Sequence, residues 1–203
     1  MKLGSILGMF ITSFFPFAGW FSSNNPHQPS HDMVDATYEF GQKYSKNHNV
    51  KVLLVIDPTN AEQAIDGYGL LMNSSEKMAV ADGRKCATDF LIAFITALRT
   101  DKRFKSYLDY MAKMYPKVPQ RCIRSIDSVG FRIDFWDENV DRIMPPYLAQ
   151  IMFENGNFYY YEADTKTLEL QLVHKESYQE ALKECGSSFT ISPQSIFDTE
   201  QAS

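Results

Sequence analysis

The chain is poor in the residues that build disulfide frameworks and zinc sites. It has three cysteines, Cys86, Cys122 and Cys185, and their wide spacing matches neither a dense disulfide scaffold nor a Cys-x-x-Cys metal site. Outside the cytoplasm one pair could close and leave the third thiol free, and the sequence does not show which pair. Cys86 and Cys185 fall on the apolar faces of predicted helices, where cysteine usually acts as a small buried hydrophobe.

Excess positive charge and phosphate-binding loops are also missing. The net charge is -5, no basic run occurs, and the glycines are too dispersed to cradle a phosphate. Arg99, Lys102, Arg103 and Lys105 do cluster, but Asp101 interrupts them, so we interpret them as a solvated helix end. We therefore predict that nucleic acid is not a partner.

Metal-ligand patterns are weak. His27 and His31 have the four-residue interval of a helical metal pair, but Pro29 between them argues against a helix there. Asp137 and Glu138 follow a predicted strand and lack the dense oxygen pattern and fixed glycine of a calcium loop. We predict neither a metal nor a cofactor.

A cysteine-dependent enzyme is a further hypothesis. It would join Cys86 or Cys122 to His174, with Asp57 or Glu176 as the acid that orients the imidazole. No local signature surrounds either cysteine, so the sequence itself provides no support for catalysis.

Formal charge is absent between Lys2 and Asp32, and residues 3–21 are predominantly apolar. At about 1.5 Å per residue in a helix this segment is close to 30 Å long, enough to cross a hydrocarbon core. It is predicted to be an uncleaved signal anchor or a cleaved signal peptide, and the alternative is a buried arm of a soluble protein. Both the signal anchor and the cleaved signal peptide would place the folded part outside the cytoplasm, where it would be membrane-anchored or secreted, respectively.

The remaining chain suits one globular domain. We divide it into a signal or anchor segment at 1–21, a polar linker at 22–31, a single domain at 32–186 and a polar tail at 187–203. Hydrophobic residues make up 44% and charged residues 22%, as expected for a chain that buries a core.

Hydrophobic periodicity predicts the elements of the first half of the domain. They are a helix capped by Asp32, a central strand over Val50–Ile56 covered on both faces, a short strand over Gly67–Met72, and helices over Ser75–Leu98 and Phe104–Tyr115.

The second half is predicted to be mainly strands. They are a half-buried strand around Phe131–Phe135, a hairpin turning at Asn155-Gly156, a strand carrying Leu168, Leu170 and Leu172, and a final helix over Tyr178–Cys185. Because strands and helices segregate, the predicted fold is α+β. It has an antiparallel sheet of about five or six strands, with helices packed mainly on one face.

An unusual run of three tyrosines lies in this hairpin. Strand alternation sends Tyr160 to one face and Tyr159 and Tyr161 to the other. Tyrosine is favoured where an apolar ring meets a wet rim, so we predict that Tyr159 and Tyr161, extended by Trp136, form a protein-binding surface.

Function is predicted from these features together. The favoured hypothesis is a non-enzymatic interaction module of the bacterial envelope, or a secreted factor, with a protein partner. The alternative is a domain that binds a small apolar, lipid-like ligand in a pocket lined by Phe131, Phe135, Met152 and Tyr160.

A series of segments carries a resemblance. The segments are NVKVLLVIDP, SEKMAVADGRKCATDFL, DKRFKSYL, GFRIDFWDEN, PPYLAQIMFENGNFYYYEAD and KESYQEALKE. Their order and spacing, from Asp32 to about Cys185, resemble short uncharacterised exported or membrane-anchored proteins of Chlamydia-like intracellular bacteria. Gly83-Arg84 stands where an Ala-Arg pair is expected in that family. The resemblance implies a fold and an extracytoplasmic location, and it implies no activity or site residue.

Overall fold

The computed structural model describes residues 29–56, 68–114, 124–137, 139, 141–192 and 195–197. Six strands form one sheet, in which each strand neighbours the next one along the chain. The strands are β1 (Lys51–Ile56), β2 (Tyr68–Ser74), β3 (Val129–Phe135), β4 (Gln150–Glu154), β5 (Asn157–Ala163) and β6 (Leu170–Ser177).

The helices are α1 (Pro29–Asn47), α2 (Val80–Thr100), α3 (Lys102–Met114) and α4 (Tyr178–Glu184). A 3₁₀ turn at Ile126–Ser128 leads into β3. The predicted α+β class is therefore confirmed. None of the described helices is long and apolar enough to cross a membrane, and the apolar segment 3–21 lies outside the described residues.

Two helix starts differ from the predictions. α1 begins at Pro29 instead of at a cap on Asp32, since proline suits the first position of a helix, where its missing N–H costs no hydrogen bond. The end of the predicted linker thus belongs to the helix. α2 begins at Val80 instead of Ser75. Of its apolar residues at helical spacing, Ala87, Leu91, Phe94, Ile95 and Leu98 are buried, whereas Val80 is partly exposed.

The sheet is mixed but mostly antiparallel, so the prediction of an antiparallel sheet is confirmed only in part. β2 and β3 run parallel, with Leu70 opposite Phe131 and Met72 opposite Ile133, whereas the other pairs are antiparallel. The chain between β2 and β3 includes α2 and α3. A long crossover of this kind returns the chain to the same end of the sheet, which permits parallel pairing.

The core lies between one face of the sheet and the helices. The ring of Phe90 on α2 meets that of Phe131 edge-on, with centroids 4.8 Å apart, and Phe153 stacks on Phe131 at 5.3 Å. Beside α2, Phe40 of α1 lies 5.3 Å from Phe94 and 5.8 Å from Phe90. Helices α1 and α2 therefore share one aromatic core with the sheet.

β1 is an edge strand, which corrects its prediction as a central strand covered on both faces. A bulge between Val52 and Leu54 leaves Leu53 without a partner in the register, and Leu53 is 55% exposed. A continuous apolar run does not distinguish a covered strand from an edge strand with one bulged residue, which explains the error.

The tight turn between β4 and β5 matches its prediction. Asn155 and Gly156 both have positive φ angles, 50° and 70°, as this hairpin turn requires. β6 begins later than predicted, because Leu168 lies in the preceding turn with φ 61°. α4 is closed by Gly186 at φ 65°, also as predicted.

The predicted loose tail is ordered wherever the structure describes it. Ile191 and Ile196 are buried, and Arg99 Nε donates a 2.6 Å hydrogen bond to the Ile196 carbonyl. The predicted solvated helix end also lies at the surface: Lys102 and Lys105 are exposed, and Arg103 pairs with Glu39 and Asp101 at 2.7 Å each. Residues 187–192 and 195–197 therefore extend the domain.

Gly83 supplies a test of the packing of α2 on the sheet. A Cβ at this position would collide with Leu148 Cδ1 and lie 3.1 Å from Ile151 Cδ1, and both side chains are fully buried. We expect Gly83→Val to lower the free energy of unfolding by about 1–3 kcal/mol, measured by chemical denaturation. Ala81→Val on the exposed side of the same helix is the control, with a loss of about 0.6 kcal/mol from helix propensity alone. Equal losses in the two variants would contradict this packing.

Candidate functional site

The sheet face opposite the helices carries the predicted tyrosine surface. Along β5, Phe158 and Tyr160 are fully buried toward the helices, whereas Tyr159 and Tyr161 point to the other side and are half-buried. No described helix packs on this side, which we call the open face. It comprises Arg132, Asp134, Gln150, Met152, Tyr159, Tyr161 and Lys175, contributed by β3 to β6.

Pairing between strands positions the two tyrosines. Tyr159 lies opposite Met152 and Tyr161 opposite Gln150 in the β4–β5 register. From the next strand, Lys175 places its ammonium 4.9 Å from the centroid of the Tyr159 ring. An ammonium group at this distance is attracted to the π face of the ring, and this attraction helps to orient the Tyr159 side chain.

A fixed polar network borders the tyrosines. Gln150 Nε2 donates a 2.7 Å hydrogen bond to Asp134 Oδ1, and Arg132 Nε donates a 3.1 Å hydrogen bond to Asp134 Oδ2. Asp134 is buried beneath these neighbours, so its charge is compensated locally. The network leaves Arg132 partly exposed, with donor groups available to a partner.

Trp136 directly follows β3, and the alternation of that strand places it on the same side as Asp134. Its ring lies under the guanidinium of Arg142, 5.4 Å away, and Arg142 Nη1 also donates to the Leu168 carbonyl at 3.1 Å. Trp136 is thus held at one end of the open face by a cation–π contact that the sequence did not predict.

A second polar group lies on the helix side of the sheet, which we call the ion cluster: Arg84, His174 and Glu176. Arg84 Nε donates to both carboxylate oxygens of Glu176, at 2.8 and 3.0 Å. Arg84 Nη2 lies 3.3 Å from His174 Nε2. The same histidine nitrogen lies 3.5 Å from Glu176 Oε2, so the three side chains contact one another. The sequence analysis considered Glu176 as an acid that could orient His174. It did not identify Arg84, which is 92 residues away from Glu176 in the chain.

Burial and the guanidinium act in opposite directions on Glu176. Burial is the largest single influence and opposes ionisation of its carboxyl, but the hydrogen bonds from Arg84 act together with Tyr160 and with the charges of Arg84 and His174, and their sum holds the pKa below the usual glutamate value. Only 6% of the Glu176 side chain and 20% of the Arg84 side chain remain exposed. The cluster therefore anchors α2 to β6 as an ion pair that is largely removed from water.

Cys86 lies apart from this cluster. It lines an open cleft of about 710 Å³. The cleft lies between the end of α1, the chain after β2 and the first half of α2, and Tyr44, His48 and Asp82 also line it. Burial, reinforced by nearby acidic groups, raises the pKa of the Cys86 thiol to about 11, so the thiol is protonated at neutral pH.

The structure does not bring Cys86 to His174, one of the combinations considered for a cysteine-dependent enzyme. Cys86 is two positions after Arg84 on α2, and helix geometry turns it away from the side on which Arg84 meets His174. Cys86 and Cys185 are free thiols. The other candidates of that hypothesis, Cys122 and Asp57, lie outside the described residues.

The predicted apolar pocket does not form from the residues chosen for it. Phe131, Phe135 and Tyr160 are packed in the core, whereas Met152 lies on the open face, because alternation along β4 directs Ile151 and Phe153 inward instead. These four side chains therefore do not line one cavity.

The histidines have no metal partners in the part of the chain that the structure describes. No group of three or more His, Cys, Asp or Glu side chains in those ranges is placed to hold a metal ion. His48 stacks on Tyr44 with ring centroids 3.9 Å apart, and His27 lies outside the described residues.

The ion cluster predicts a stability effect at Arg84. We expect Arg84→Met to lower the free energy of unfolding by about 3 kcal/mol, because it leaves the buried Glu176 carboxylate unpaired. The neighbouring substitution Lys85→Met removes only an exposed pair with Asp89 and should leave the free energy of unfolding nearly unchanged. Chemical denaturation of both variants measures the difference, and a similar cost for the two would refute the structural role of the cluster.

The pKa of Glu176 predicts a pH dependence. The pKa of Glu176 in the folded state is lower than the reference value of 4.5. At pH values between the folded-state pKa and 4.5 the unfolded chain therefore binds more protons than the folded chain, and stability rises with pH in this range. The difference in unfolding free energy between the wild type and Glu176→Gln should be largest above pH 4.5 and shrink as the pH falls below it. Denaturant titrations at several pH values test this, and a difference that grows on acidification would overturn it.

Comparison with protein-family models, with curated proteins and with solved structures gives no match for this chain.

Proposed function

We propose that this protein is a non-enzymatic interaction protein whose folded domain binds another protein through the open face. The observation that carries the proposal is the placement of Tyr159 and Tyr161. Both are half-buried and lie side by side on β5, on a sheet face that no described helix covers.

The chemistry of this face suits a protein partner. Tyrosine, methionine and arginine are enriched at the centres of protein interfaces, and Tyr159, Met152 and Arg132 follow one another across three paired strands. A tyrosine ring supplies a large contact area with little conformational freedom to lose, and Lys175 already restrains Tyr159. The hydrogen bond between Gln150 and Asp134 already fixes the polar side chains next to the tyrosines, so these side chains need not rearrange when a partner binds.

The proposed location is outside the cytoplasm, with the domain anchored through residues 3–21 or released after cleavage of that segment. It rests on the composition of the segment, which is uncharged and apolar between Lys2 and the linker. In this setting the partner would be a component of the bacterial envelope or a protein met after secretion.

Site-specific photocrosslinking followed by affinity measurement tests the binding surface. A photoreactive phenylalanine at position 159 of the full chain should capture the partner in its native setting. With that partner purified, we expect the double variant Tyr159→Ala with Tyr161→Ala to bind at least about 30-fold more weakly, since interface tyrosines often contribute about 2 kcal/mol or more.

A matched control separates this effect from general loss of aromatic surface. Tyr38 is 55% exposed on α1, and Tyr38→Ala should leave affinity unchanged. Unaltered affinity in the double variant, or equal losses in the two proteins, would refute binding through the open face.

The cleft beside Cys86 favours a second candidate, the binding of a small ligand. Its lining mixes the Tyr44–His48 ring stack with acidic groups, including Glu76 and Asp82, so the ligand would be polar instead of lipid-like. The tyrosine variants leave this cleft intact. If a small ligand stabilises the tyrosine variants as much as the wild type, the ligand therefore binds in the cleft and not on the open face.

A further inference from the structure

We infer that the cleft beside Cys86 binds a small organic dication, in which two cationic groups are joined by an aliphatic stem. This ligand class rests on the second candidate function, the binding of a small ligand in the cleft. Two kinds of group in the lining favour it: carboxylates without an ion-pair partner, and a buried tyrosine hydroxyl without a hydrogen bond.

Both lysines that line the cleft contact groups other than these carboxylates. Lys85 Nζ lies 2.7 Å from Asp89 Oδ2, so the charges of this pair cancel. The ammonium of Lys77 lies 5.9 Å from the ring centroid of Tyr147, which does not line the cleft.

Glu76 and Asp82 supply the remaining negative charge of the lining. Neither carboxylate has an ion-pair partner among the residues that the structure describes. Glu76 Oε1 accepts a hydrogen bond from Asn49 Nδ2, which helps to orient the carboxylate without neutralising it. A ligand with two positive charges therefore complements this side of the cleft.

Tyr44 adds an unused polar group to the same lining. It is only 6% exposed, and its hydroxyl makes no hydrogen bond within the described ranges. Burial, together with the nearby Cys86 and Asp89, raises the pKa of Tyr44, so the hydroxyl lies toward these two lining residues and stays protonated at neutral pH. Such a hydroxyl can accept a hydrogen bond from an ammonium or guanidinium N–H.

The rest of the lining suits the stem and a planar cation. Val50 and Met78 are buried apolar residues, against which an aliphatic stem can pack. His48 is exposed and stacks on Tyr44, with ring centroids 3.9 Å apart. Guanidinium groups stack favourably on aromatic rings, so a ligand with a guanidinium at one end and an ammonium at the other uses every part of the lining.

Isothermal titration calorimetry of the purified full chain with agmatine, a dication of this kind, tests the inference. We expect a dissociation constant on the order of 100 µM in about 100 mM NaCl. Glu76→Gln and Asp82→Asn should each weaken binding at least about fivefold, because each removes one negative charge from the lining. Tyr44→Phe keeps the ring and removes the hydroxyl, and it should weaken binding about threefold.

Glu169→Gln is the matched control, since Glu169 is exposed and lies outside the cleft. This variant, and the double variant of Tyr159 and Tyr161, should bind agmatine like the wild type. Far-UV circular dichroism verifies that each variant is folded. Equal losses in Glu169→Gln and Glu76→Gln would show general attraction to a negatively charged chain and would overturn the inference.

Probes of other charge separate the ligand class from the site. Glutarate and pentanediol resemble agmatine in length but lack positive charge. Binding of either one without agmatine would overturn the dication and leave ligand binding in the cleft standing, whereas no binding of all three would overturn both.

A peptide with one internal arginine, blocked at both ends, tests a protein side chain as the source of the cation. It supplies a guanidinium without the second charge, so it should bind at least about tenfold more weakly than agmatine. Equal affinity would assign the cleft to a protein side chain and contradict a free dication.

Discussion

The packing of α2 across one face of the sheet is the contact on which the rest of the structure depends. Phe90 meets Phe131, and the ring contacts continue through Phe153 to Phe158. Burial of each such side chain stabilises the fold by roughly 1.5–3 kcal/mol. At the start of the same helix Gly83 allows close approach to the sheet, while Arg84 ties the helix to β6 through Glu176.

One-sided packing gives neighbouring residues different roles. Tyr160 is fully buried toward the helices, whereas Tyr159 and Tyr161 are directed to the open face. The aromatic run thus serves the core and presents a surface at the same time. The charges divide in the same way, since the ion cluster holds α2 to the sheet while Arg132 and Lys175 border the tyrosines. Binding is proposed for the open face because its side chains are not needed to hold the helices.

The predictions that succeeded rest on local sequence patterns. The Asn155-Gly156 turn, the stripe on α2 and the alternation of the tyrosine run each depend on residues within a few positions of one another. A local pattern determines which way a side chain points relative to its neighbours. For this reason the alternation of the tyrosine run predicts that Tyr159 and Tyr161 share one face, and the structure places them there.

The predictions that failed depend on contacts between distant segments. Parallel pairing of β2 with β3, the edge position of β1 and the packing of Ile196 all depend on where remote parts of the chain lie. Arg84 was missed for the same reason, because its role appears only when α2 crosses β6. Met152 was assigned to an apolar pocket by residue type alone, without the strand alternation that places it on the other face.

Hydroxyl-radical footprinting with mass spectrometry of the full chain tests the central claim most directly, which is that one face of the sheet is covered and the other open. The three consecutive tyrosines serve as probes with the same chemistry. The account predicts oxidation of Tyr159 and Tyr161 and protection of Tyr160. Oxidation of Tyr160, or equal protection of all three in the isolated protein, would contradict it.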